Sequence, residues 1–110
     1  MNVTVTAHDG FAVIRPTGRL TMVSAPQLRH AVDDLVGQGT PRVVVDLAGT
    51  EFIDSSGLGS LIGALKATRL AGGDLRIAAA PEQVRTVLRL TNLDRVLRNH
   101  PSAETAFDAE

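Results

Sequence analysis

The chain has 110 residues, 11 basic and 12 acidic side chains, a formal charge of −1 and no cysteine. That length suits one domain with a single core, and the balanced charge gives no electrostatic case for a nucleic-acid backbone or an anionic membrane as partner. The lack of cysteine excludes disulfides, thiol catalysis and thiolate metal sites. With Phe11, Phe52 and Phe107 as the only aromatic residues, the core must be aliphatic.

The opening MNVTVTAHDGFAVIRP has no basic region followed by an apolar stretch, so it is not a secretion signal. No apolar run approaches the length of a membrane span, and a cytoplasmic location is expected. Val3, Val5 and Ala7 alternate with Thr4, Thr6 and His8, the pattern of a half-buried strand. His8-Asp9-Gly10 supplies turn residues and Phe11 to Arg15 resumes an extended run, which predicts an N-terminal hairpin. Gly18-Arg19-Leu20 then leads into Thr21-Met22-Val23-Ser24.

Ser24 and Gln27 have capping-box spacing, with Pro26 in the first turn. A first helix from Ala25 to Val36 follows, carrying Leu28, Ala31, Val32, Leu35 and Val36 at helical spacing. Gly37, Gly39 and Pro41 end it. Arg42 to Leu47 is short, β-branched and apolar on both faces, the mark of a central strand covered on both sides.

The stretch EFIDSSGLGS occupies residues 51–60. A second helix follows with a stripe of Leu58, Leu61, Ile62 and Leu65, and Gly72-Gly73 give it a left-handed stop. Leu75, Ile77 and Ala79 mark another strand. Pro81 opens a third helix bearing Val84, Val87, Leu88 and Leu90. Asn92 to Leu97 holds a short last strand or turn, Pro101 to Phe107 a short terminal helix, and the last few residues fray. This order predicts one α/β domain over residues 1–110, with a mixed sheet of about four to five strands and about four helices.

The acid and serine cluster at 54–56 lies past the end of a buried strand and before a helix, the edge where open α/β folds gather ligands. Free helix N–H groups there favour negative charge. Asp and Ser are also preferred capping residues, and capping alone would account for them. A hydrolase nucleophile elbow places its serine between glycines, which neither Ser55 nor Ser56 satisfies, and His8, His30 and His100 read as solvated surface residues rather than bases. A Walker motif would need a lysine that the cluster lacks, Lys66 being two turns further along. Asp46, Glu51 and Asp54 have no metal-ligand spacing; Asp46 is expected to pair with loop amides and Glu51 to be solvated. No catalytic, cofactor or metal site is expected.

The string VVVDLAGTEFIDSSGLGSLIGALKATRLAGGDLRIA closely resembles the STAS domain of bacterial anti-sigma factor antagonists. Gly18-Arg19-Leu20 and the helix from Ala25 resemble the family's upstream part, and TNLDRVL its downstream part. The resemblance implies partner switching. The unphosphorylated antagonist binds an anti-sigma factor that is itself a serine kinase, freeing a sigma factor for transcription. On the same resemblance, phosphorylation of Ser56 would switch it off and a phosphatase would reset it.

The same resemblance makes Asp54, Ser55, Ser56, Gly57 and Leu58 the motif that meets the partner. Asp54 would orient the loop or position Ser56, Ser55 would serve mainly as a cap, and Gly57 would give the kinase access to the backbone. ATP and Mg²⁺ would come with the kinase, leaving this chain as substrate and ligand rather than enzyme, with no cofactor of its own. One departure is Thr21, where many members carry an aspartate near the phosphorylation site. An alternative is a STAS interaction subunit of a lipid-transport or stress-signalling complex without a phosphorylation switch. A hydrolase using the serine pair ranks below both.

Overall fold

The structure, a computed structural model, describes residues 1–108. Strands β1 (Asn2–His8) and β2 (Phe11–Leu20) form the expected antiparallel hairpin, with Val5 opposite Ile14. Helix α1 spans Ala25–Gly37, and β3 (Arg42–Asp46) lies parallel to the first half of β2. After α2 (Ser55–Leu70), β5 (Asp74–Ala78) adds in parallel to β3, and the two-residue β6 (Asn99–His100) adds to β5. The sheet order is β1-β2-β3-β5-β6.

A further strand, β4 (Thr50–Ile53), was not expected. It pairs in parallel with the far end of β2, from Gly18 to Leu20. The register shifts between Gly18 and Arg19, and Gly18 has φ +103, a conformation open to glycine at little steric cost. That one residue lets β2 serve β3 with its first half and β4 with its last. Four residues with an exposed glutamate among them carry too little periodicity to announce a strand.

One face of the sheet carries α1, α2 and α3 (Glu82–Leu90) over an aliphatic core. Val43, Val45, Leu75 and Ile77 meet Leu28, Val32, Leu61, Leu65, Val84 and Leu88 there. On the other face, Val13, Val44 and Ala78 are covered by Ala103, Ala106 and Phe107. Val43, Val44 and Val45 are therefore all fully buried, as their unbroken apolar run predicts. Each contributes roughly 1.5–3 kcal/mol by leaving water.

Three local expectations are corrected. The terminal segment forms only a 3-10 turn, Ala103–Thr105, and 92–97 holds another, Leu93–Arg95, so the described residues contain three α-helices. The terminal segment is fixed by tertiary contacts instead. The Arg42 and Arg76 guanidiniums sit 4.5 and 4.4 Å from the centre of the Phe107 ring, and Arg15 bonds Glu104 at 3.2 Å. Strand β5 stops at Ala78, because Ala79 turns to φ +54 and donates its N–H to the His100 carbonyl. Leu90 points into solvent at the end of α3. The expected fraying of the last residues falls at 109–110, outside the described residues.

Candidate functional site

Strands β2 and β4 end side by side at Leu20 and Ile53, so the segments leaving them start together. Asp54 follows β4 in extended conformation, and its N–H donates to the Leu20 carbonyl at 3.2 Å. Its carboxylate works in two directions. Oδ1 accepts the Gly57 N–H at 2.8 Å, capping α2, and Oδ2 accepts the Met22 N–H at 3.4 Å. One side chain thus fixes the start of α2 and ties the β2–α1 loop to it. Asp54 is the cap; Ser55, expected in that role, is the first residue of the helix.

The loop has its own clasp. Ser24 Oγ accepts the Thr21 N–H at 2.9 Å and donates to the Arg19 carbonyl at 2.6 Å. The capping box expected of Ser24 and Gln27 is absent, since the hydroxyl turns back into the loop and makes no cap bond to α1. Thr21 is bound through its backbone, its carbonyl accepting the Ala25 N–H at 2.7 Å. With this frame closed, Met22 and Val23 are left 71% and 86% exposed. Sequence reasoning passed over them as a lead-in to α1. The available signal was a pair of apolar residues with no helical or strand partner.

The motif divides sharply by exposure. Gly57 and Leu58 are buried, and Leu58 belongs to the core under α2. A methyl group on Gly57 would collide with the Leu20 carbonyl oxygen and come within 2.9 Å of the Ile53 side chain. Gly57 therefore lets α2 start hard against the end of β2; its N–H is taken by Asp54, which overturns the reading of an open backbone. Leu58 likewise packs inward instead of facing a partner. Ser55 and Ser56 stand exposed on the first turn, and neither hydroxyl is held by another described residue.

Among the described residues, none of the three histidines bonds either serine hydroxyl. His8 stacks on Phe11 with ring centres 4.9 Å apart, and His30 pairs with Asp34 along α1 at 3.4 Å. His100 is half-buried in β6, where burial first and then the charges of Arg76 and Arg98 lower its pKa. Asp46 pairs with Arg15 at 3.1 Å and accepts the Ala48 N–H at 3.0 Å, as a strand-ending acid should, and Glu51 is exposed. Among the described residues no group of three or more His, Asp or Glu could hold a metal ion, and no helix is long and apolar enough to cross a membrane. The arrangement offers two accessible hydroxyls at a helix N-terminus, next to an exposed apolar pair.

Comparison with known proteins agrees with this architecture. The family model described as "STAS domain" matches residues 2–106. An anti-sigma-B factor antagonist of Staphylococcus epidermidis is 28% identical over 104 residues, covering 94% of this chain and 96% of that protein. The crystal structure of an anti-sigma factor antagonist from Mycobacterium paratuberculosis is 30% identical, with a TM-score of 0.85 over 98% of this chain and 92% of that one. The Bacillus cell fate determinant SpoIIAA in its phosphorylated form shares the fold, at 21% identity and a TM-score of 0.74, over 97% of each chain.

Proposed function

Because the chain belongs to the STAS domain family, we propose that it acts as an anti-sigma factor antagonist. Unphosphorylated, it docks through Met22, Val23 and the exposed start of α2 onto a cognate anti-sigma factor with serine kinase activity, releasing a sigma factor. Phosphorylation at Ser56 ends the complex, and a phosphatase restores it. ATP and Mg²⁺ enter with the kinase, so this chain takes part as substrate and ligand. The observation that carries this reading is the exposed, unengaged Ser56 hydroxyl at the start of α2, to which Asp54 ties the loop bearing Met22 and Val23. The antagonist relatives, which match nearly end to end, support it further.

The energetics suit a switch. Covering Met22 and Val23 on a partner would contribute roughly 1.5–3 kcal/mol for each side chain fully buried. A phosphate on Ser56 would bring about −1.5 to −2 charges to the first turn of α2. The helix N-terminus tolerates anionic groups, so the antagonist's own fold need not change. At the docking surface the same charge, next to Asp54, opposes an apolar or acidic patch. A loss of about 1.4 kcal/mol is already a tenfold loss of affinity.

The test is incubation with the cognate kinase-type anti-sigma factor and ATP, with the phosphosite mapped by mass spectrometry. Label is expected on Ser56 and absent from Ser56→Ala, with Ser55→Ala labelled as wild type. Equal labelling of Ser56→Ala would sink the site assignment. Ser56→Asp should weaken binding at least tenfold, and unchanged affinity would sink the charge switch.

A further inference from the structure

On the side of the sheet where β6 ends the strand order, a cavity of about 240 Å³ opens between the end of α2, β5 and the segment from Arg95 to His100. Arg69, Arg76, Arg95, Arg98 and His100 line it. The chain has 11 lysines and arginines and a net charge of −1, yet four arginines converge on this one cavity. They are spread over thirty positions of sequence and form no basic run, so only the fold assembles them.

The two sides of the cavity are held in different ways. Asp74 binds Arg69 Nε at 3.0 Å and Arg76 Nε at 3.5 Å, fixing both guanidiniums near one carboxylate. Arg76 also donates to the Ala106 carbonyl at 2.9 Å and lies over the Phe107 ring. Opposite them, Arg95 and Arg98 flank Leu97, which is fully buried and whose N–H bonds the Leu93 carbonyl at 2.8 Å. Their backbone is therefore anchored, while neither side chain has an acidic partner among the described residues. Asp74 is engaged with Arg69 and Arg76 and is not among the cavity's lining residues, so the positive charge the cavity presents rests on Arg95 and Arg98.

We propose that this cavity binds a compact oligophosphate anion of the pyrophosphate type, either free or as the tail of a nucleotide. Guanidinium forks match phosphate oxygens in geometry as well as charge. The volume lies below the roughly 300–1,000 Å³ usual for drug-sized organic ligands, which favours a small, densely charged group over a large organic one. The proposal is independent of Ser56 and of any anti-sigma partner. His100 supplies an internal reporter. Burial and the neighbouring Arg76 and Arg98 keep its imidazole less basic than usual, with Arg69, Arg95 and Asp74 as the other charged groups around the cavity. A bound anion would offset the arginine field and raise its pKa.

The experiment is calorimetric titration of the full chain with inorganic pyrophosphate, alongside NMR titration of His100. Wild type is expected to bind, Arg95→Gln with Arg98→Gln to bind at least tenfold more weakly, and His100 to titrate at higher pH when pyrophosphate is present. Removing two charges elsewhere, Lys66→Gln with Arg85→Gln, should leave affinity within twofold. No heat of binding, equal affinity in the Arg95/Arg98 variant, an equal loss in the control variant, or an unmoved His100 titration would each overturn the proposal. An ADP arm separates the sources: tighter binding than pyrophosphate assigns a nucleotide, and equal or weaker binding a free oligophosphate.

Discussion

At the scale of single residues, two glycines of the DSSGLGS segment that look alike in sequence have opposite roles. Gly57 has no room for a methyl group against the Leu20 carbonyl, whereas Gly59 has nothing within 4 Å of its would-be β-carbon. Gly57→Ala should therefore destabilise by about 1–3 kcal/mol, the usual cost of overpacking. Gly59→Ala, in the exposed helix, should stabilise by about 0.5–1 kcal/mol. Urea denaturation of both variants checks this, and equal midpoints would contradict the packing argument. Asp54→Ala removes the α2 cap and the tie to Met22 together. A loss of about 1 kcal/mol is expected from the cap alone, and backbone hydrogen exchange at Met22 should quicken as the loop is released. Ser56→Ala should leave stability within about 0.5 kcal/mol, as for a surface position with no engaged partner.

At the scale of elements, the C-terminal segment is the least self-sufficient part of the fold. Its 3-10 turn has three residues, so its position depends on Phe107 in contact with two guanidiniums and on Ala103 and Ala106 against Val13, Val44 and Ala78. Phe107→Ala should cost about 3–5 kcal/mol, the range for a buried phenylalanine. It should also expose the amides of β3 and β5 to exchange before those of α1. A loss below about 1 kcal/mol would show that the segment merely rests on the sheet. Strand β4 makes the converse point: it is weak in pattern but pinned by neighbours, through Thr50 Oγ1 to the Pro16 carbonyl at 3.0 Å and the Ile53 N–H to Gln83 at 3.3 Å. Those contacts set where Asp54 begins.

At the scale of the whole molecule, His100 links stability to pH. Its pKa is lowered from the ordinary 6.5 by burial and by Arg76 and Arg98, so the unfolded chain takes up the proton first as pH falls. The stabilisation is complete above pH 6.5 and declines as pH drops below it toward the folded value. His100→Gln should flatten the stability profile in that window, measured by urea midpoints between pH 7.5 and 5; an unchanged slope would assign the dependence to other groups. The core, the hairpin, β3 and the three helices were all legible in residue order, because periodic burial repeats over enough positions to be read. Leu28, Val32 and Leu35 mark α1 in this way, and Val43 to Val45 mark β3. The site was half legible. Asp54, Ser55 and Ser56 stood out by residue type, but the capping role fell to Asp54, Gly57 and Leu58 turned inward, and Met22 and Val23 went unnoticed. Sequence by itself determined the alternation of strands and helices and the acid-serine cluster at the start of α2, since both depend on neighbours along the chain. Only the tertiary structure decided which motif residues face solvent, which loop joins them and where four scattered arginines meet, since those depend on atoms from distant positions competing for the same space.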